Sequence, residues 1–117
     1  MKKEEKKKVY MGQLRMENLI EGMFPNHLVL SNTRGFLDGL EIDCYIPDLK
    51  LGFEYNGEQH YKQVEVFHKD TKDFENQKKR DIEKNKLAKE RGIKLITIRF
   101  DEKLTKDLIK SKIRGAE

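Results

Sequence analysis

The stretch LEIDCYIPDLKLGFEYN, residues 40–56, restricts the possible folds more than any other part of the chain. Apolar residues alternate with polar ones on both sides of a Pro-Asp step, which is the pattern of two half-buried strands joined by a turn. A tight turn centred between Asp48 and Leu49 sets the register. Asp43 then falls opposite Glu54, Glu41 opposite Asn56 and Tyr45 opposite Gly52. Ile42, Cys44 and Ile46 share one face with Leu51, Phe53 and Tyr55. A slip of one residue would send the acids into the core, so the alternation and the register support each other.

This register predicts two carboxylates side by side. Directly opposed residues have Cβ atoms about 4.5–5.5 Å apart, and like charges there are destabilising. A divalent cation is the simplest compensation, because Mg²⁺ prefers carboxylate oxygens and keeps several of its waters. The plainer alternative is a solvated polar face on an exposed hairpin. The continuation NGEQHY favours the metal. Gly57 permits a bend just past Glu54, and Gln59 and His60 follow at the strand exit, where they can meet the same metal or a substrate. Histidine titrates near neutrality and suits proton transfer, although a lone histidine is more often an ordinary loop residue. His27 and His68 have no acids beside them and read as surface.

Around the hairpin the pattern is α, three strands, α, strand, α. Residues 1–8 read as a charged, flexible start or as the solvated beginning of a helix. Met16, Leu19, Ile20 and Met23 recur at helical spacing between Val9 and Phe24, and Pro25 with Asn26 stops that helix. A short strand starts at His27, and TRGFLDG reads as a loop or turn. Strands cover Leu40–Ile46 and Leu49–Tyr55. A helix runs from Thr71 to Arg91 with Gly92 as its C-cap. IKLITIRF forms the next strand, and a last helix after Asp101 turns Leu104, Leu108 and Ile109 inward. The fold class is α/β, a single domain over residues 9–117 with one mixed sheet flanked by helices.

Of 117 residues, 36% are hydrophobic and 39% charged, which implies a thin core under a charged surface. The net charge of +4 is mild evidence for a polyanionic partner. The single cysteine, Cys44, excludes an internal disulfide and a cysteine-rich zinc site, and fits a reducing cytoplasm. The sequence contains neither a signal-peptide pattern nor an apolar run of membrane-spanning length.

On the long helix, Phe74, Gln77, Asp81, Lys84 and Ala88 form one stripe. Its polar middle either points into a cleft or lies on a charged flank with Asp81 and Lys84 as an i,i+3 pair. Lys78, Lys79 and Arg80 begin a dense basic run that continues through Lys84, Lys86, Lys89, Arg91 and Lys94. Such a run makes salt-dependent contacts to phosphates, or is simply a solvated helix face.

The string Glu17 … LEIDCYIP … LGFEYNGEQHY … RDIEKNKLAKERGIKLITI resembles the core of the PD-(D/E)XK nucleases. It is most similar to the small group related to very-short-patch-repair endonucleases and to phage homing endonucleases with an EDxHD motif. The resemblance covers roughly Glu17 to Phe100, and the DCYIP and EYNGEQHY blocks are specific only in combination. It implies a restriction-endonuclease-like fold and Mg²⁺-dependent (or Mn²⁺-dependent) DNA cleavage in the cytoplasm of a bacterial or phage-infected cell.

Residue by residue, Glu17 corresponds to the acid on the first helix, with Glu21 one turn later as the competing choice. Asp43 and Glu54 correspond to the metal-binding acids, with the Tyr55 carbonyl as a further ligand. His60 corresponds to the histidine that activates water or protonates the leaving group, and Asp81 to the supporting acid. Gln59 positions water or phosphate. Asn56, Lys62, Lys78, Lys79 and Arg80 are the expected nucleic-acid contacts. The chain departs from the pattern at Asn56, where the family has a lysine. Lys84 or Lys62 can supply that lysine, or His60 can replace its function.

The expected activity is phosphodiester hydrolysis, as a nickase or a double-strand cutter. The competing expectation is a non-catalytic nucleic-acid-binding module that keeps the nuclease fold. A third possibility is a partner-binding protein with a charged surface, which leaves the paired acids without a purpose. Specific protein–DNA interfaces bury about 1,000–2,500 Å² of protein surface, so a domain of this size calls for a homodimer, an additional specificity partner, or recognition of a DNA structure such as a nick.

Overall fold

The structure is a computed structural model that describes residues 3–56 and 71–116, with side chains described for 11–56 and 78–115. Its element order is α1 (Lys3–Met23), β1 (Leu30–Leu37), β2 (Leu40–Ile46), a 3₁₀ turn (Pro47–Leu49), β3 (Leu51–Asn56), α2 (Thr71–Glu90), β4 (Lys94–Arg99) and α3 (Lys106–Ala116). The four strands form one mixed sheet in the order β1-β2-β3-β4. β1–β2 and β2–β3 are antiparallel, whereas β3–β4 is parallel and spans the α2 crossover. Among the described residues, no helix is long and apolar enough to cross a membrane.

Two apolar clusters hold the sheet between its helices. On one face Cys44, Ile46, Leu51, Phe53, Ile96 and Ile98 pack against Met16 and Ile20 of α1 and Ile109 of α3. The other face carries a smaller cluster of Leu37, Ile42, Tyr45, Ala88 and Ile93, with Ala88 supplied by α2. The helical spacing of Met16 and Ile20, both fully buried, explains how α1 docks.

Two helix boundaries are capped by sequence. Gly92 sits at φ +71°, Ile93 N–H donates to Ala88 O (2.8 Å) and Gly92 N–H to Lys89 O (3.3 Å), the two bonds of a Schellman ending. At the start of α3 the Thr105 hydroxyl accepts the Leu108 amide at 3.1 Å.

The hairpin register holds over the paired residues Cys44–Phe53, Tyr45–Gly52 and Ile46–Leu51. Gly52 sits close under Leu95: a Cβ there would lie 2.7 Å from Leu95 Cδ2 and would have to push that side chain aside. Four details of the sequence reading are corrected. The turn is not tight: Pro47–Leu49 form a 3₁₀ turn closed by Lys50 in the left-handed region (φ 50°). Ile42 does not share the face of Cys44 and Ile46 but packs with Tyr45 in the second cluster. Two irregularities flank it: β1 shifts register between Thr33 and Leu37, and Asp43 takes the Tyr55 amide with its side chain.

The segment read as a loop, TRGFLDG, is mostly strand. β1 continues to Leu37 and only Asp38 and Gly39, both at positive φ, turn the chain. Finally, the last helix begins at Lys106, after a turn at Asp101 in which Glu102 Oε1 accepts the Arg99 amide. α1 starts at Lys3, as the helix-start reading of residues 1–8 expects.

Candidate active site

Glu54 enters the site from β3, on the face that Gly52 and Leu95 share and opposite the core residues Phe53 and Tyr55. Strand alternation dictates this: burying Phe53 toward α1 turns Glu54 toward α2. There the Lys84 ammonium rests against Glu54 Oε1, an oxygen sealed from solvent. The two side chains are only 19% and 15% exposed. A pair this far from water is weakly screened.

Asp43 approaches Glu54 from β2. Its Oδ2 accepts the Tyr55 N–H at 2.9 Å, which fixes the carboxylate beside β3. Burial pushes the Glu54 carboxyl up to about 8 from an ordinary 4.5. The Asp43 charge adds to that rise, and Lys84 opposes it. The site therefore holds more carboxylate than one lysine can balance. Added positive charge at this point would lower the cost of ionising Glu54.

Beside the pair lies a cleft of about 150 Å³ lined by Glu54, Asn56, Asp81, Lys84, Asn85 and Thr97. The helical stripe on α2 produces it: Ala88 is buried in the core, Lys84 one turn earlier reaches Glu54, and exposed Asp81 stands at the rim. The i,i+3 alternative for Lys84 and Asp81 is displaced by the Glu54 contact. Asn56 lines the same cleft, and its carbonyl accepts the Phe100 amide at 2.8 Å. Lys78, Lys79 and Arg80 are exposed.

Glu17 is half-buried on α1 and receives Gln13 Nε2 at 3.3 Å, while Gln13 also donates to Asn32 Oδ1 at 2.8 Å. Its charge acts on the Cys44 thiol, next to Asp43 in β2. Burial first, then Glu17, Glu21 and Asp43, push that thiol up to about 12. Glu17 and Glu21 thus both act on the α1 side of β2, and the half-buried Glu17 is held by side chains while Glu21 is exposed. Cys44 itself is a fully buried core residue. Among the described residues, no three His, Cys, Asp or Glu side chains converge on a common point.

Gln59, His60 and Lys62 lie outside the described residues, as does Gly57, and the side chains of Phe74 and Gln77 do as well. Two cleft residues were not singled out from sequence. Asn85 follows Lys84 directly. Thr97 is the one uncharged polar residue within ILE-rich β4, and it stands beside Glu54 in the parallel ladder. The polar break in KLITIR was the available signal.

Comparison with known proteins gives partial relatives only. The chain is 48% identical over 64 residues to uncharacterized protein 307L of Invertebrate iridescent virus 6, covering 55% of this chain and 32% of that protein. It is 41% identical over 68 residues to uncharacterized protein 033L of Invertebrate iridescent virus 3, covering 58% and 35%. It is 45% identical over 65 residues to uncharacterized protein 094L of Frog virus 3, covering 55% and 42%. The chain thus spans well under half the length of these curated relatives. No family model and no solved structure matches it.

Proposed function

We propose that this domain is a metal-dependent endonuclease that hydrolyses DNA phosphodiester bonds. The observation that carries the reading is the meeting of Asp43, Glu54 and Lys84 at one buried point, from three separate elements, beside a polar cleft. A purely structural surface has no reason to bury a carboxylate next to a second one.

The donor set fits Mg²⁺: Asp43 and Glu54 offer hard carboxylate oxygens, and among the described cleft residues no sulfur or imidazole competes. Asp43 and Glu54 would hold the ion, with the Tyr55 carbonyl as the further ligand that the sequence resemblance implies. Such an ion, when bound, polarises a phosphoryl oxygen and acidifies water. Lys84 supplies the positive charge that Asn56 does not. Its ammonium, now against Glu54, is within reach of the cleft where a phosphate oxygen would gather charge in the transition state. Asp81 supports the rim, and Asn56 with Lys78, Lys79 and Arg80 faces the polyanion. Proton transfer is assigned to His60 and positioning to Gln59 on sequence resemblance. Glu17 acts through charge from the α1 side.

The test is cleavage of supercoiled plasmid by purified protein with Mg²⁺, with Mn²⁺ and with EDTA, beside Glu54→Gln and Lys84→Met. Metal-dependent nicking or linearisation that both substitutions abolish is the expected result. Undiminished cleavage by Glu54→Gln sinks the proposal. Metal-independent DNA binding unchanged in Asp43→Asn, without cleavage, would instead identify a binding module.

A further inference from the structure

We infer that Gly12 is a positioning residue for the candidate metal site, acting through Tyr55. Gly12 lies inside α1, where glycine is a poor choice. The structure gives the reason. A Cβ at position 12 would stand 2.3 Å from both Cζ and Oη of Tyr55 and 2.6 Å from its Cε1. The missing side chain is a notch in the helix, and the Tyr55 ring fills it.

The same residue holds Asp43. Tyr55 N–H donates to Asp43 Oδ2 at 2.9 Å, so the backbone that orients this carboxylate carries the ring seated in the notch. Tyr55 also packs against the larger core cluster, between β3 and α1. A tyrosine ring is rigid and moves only by turning about two torsions. A methyl group at position 12 therefore leaves two outcomes: the helix lifts from β3, or the ring leaves the notch. Lifting the helix drags residue 55 and loosens its bond to Asp43, whereas a ring that simply swings out leaves that backbone bond in place, and amide exchange at residue 55 tells the two apart. Glu17, little more than one turn along α1, moves with the helix. Outer groups that orient a ligand commonly control metal affinity as strongly as some ligands do.

The claim about Asp43 stands on these contacts, and its link to metal affinity rests on the function proposed above. The experiment compares wild type, Gly12→Ala, Tyr55→Val and the double variant, each with a thermal melt. Valine keeps strand propensity and removes the ring atoms that overlap. The first readout is hydrogen exchange of the residue-55 amide, with the amides of Phe53 and Ile96 as references for global opening. Gly12→Ala should exchange at residue 55 about tenfold faster, with the references unchanged. The double variant should recover the slow rate. The second readout is Mn²⁺ titration, where Gly12→Ala should lose about 10–100-fold in affinity and the double variant should regain it.

Wild-type exchange at residue 55 in Gly12→Ala overturns the inference. So does a Gly12→Ala protein that fails to fold and is not rescued by Tyr55→Val, whereas rescue of folding supports it. If wild type binds no Mn²⁺ while the exchange pattern holds, the metal reading fails and the notch stands.

Discussion

The two faces of the sheet solve different problems. Among the described residues, the face covered by α1 and α3 buries nine in one cluster, with Phe53, Met16, Ile20, Ile98 and Ile109 among its fully buried side chains. The face covered by α2 has five among the described residues, of which Ala88 contributes little surface, and Glu54, Lys84 and the cleft lie under α2 beside them. One side supplies stability. The other holds a carboxylate at a cost, which the first side offsets. Phe53 and Glu54 are neighbours in sequence and point to opposite sides, so a single dipeptide tests the division.

The largest expected effect is on the apolar side. Phe53→Ala should cost about 3–5 kcal/mol in urea unfolding. A loss below about 1 kcal/mol would mean that this face is not the main source of stability.

Next is the pH response of Glu54 without metal. Its folded carboxyl titrates near 8 and its ordinary value is 4.5. Between these values the folded state holds more protons than the unfolded one, so stability falls as pH rises. This group's contribution is fully present below the lower value and fully lost above the upper one. Unfolding in chelator should show this decline in wild type and not in Glu54→Gln. Near pH 5 the two proteins should agree within about 0.5 kcal/mol. A parallel decline in both would place the titration elsewhere.

The smallest effect tests the far end of β4. Glu102 Oε2 meets Lys112 Nζ at 2.9 Å, and Glu102 Oε1 accepts the Arg99 amide, also at 2.9 Å. Its modest burial works against ionisation, and the bonds to Lys112 and Arg99 outweigh it and hold the carboxyl below its usual range. Glu102→Gln should cost about 0.2–1 kcal/mol, less in high salt. A salt-independent loss would show that the backbone bond, not the ion pair, matters.

The sequence was most informative where one rule decided the outcome. Alternation placed Phe53 and Glu54 on opposite sides, and the Tyr45–Gly52 register followed from it. The α2 stripe of Asp81, Lys84 and Ala88 was equally plain in the spacing. Ile42 was misread because alternation assumes an unbroken ladder, and the side chain of Asp43 interrupts it by taking a backbone amide. β1 was shortened because Gly35 looked like a loop signal, while the Asp38-Gly39 step was the real turn. The spacing offers Lys84 or Lys62 as the lysine beside Glu54 and does not choose; Lys84 reaches Glu54 because β4 pairs in parallel and folds α2 back over β3. Gly12 showed nothing until the ring of Tyr55 was seen in its place.

The parallel pairing of β3 with β4 has a consequence for the chain before it is complete. Local hairpins close sooner than distant segments, because closing a longer loop costs more entropy. Until β4 arrives, β3 is an open edge of the sheet, and its apolar residues Leu51 and Phe53 invite pairing with another molecule. A charge placed on such an edge discourages that pairing. Glu54 occupies this position, so the same carboxylate that burdens the finished fold protects the unfinished one from aggregation.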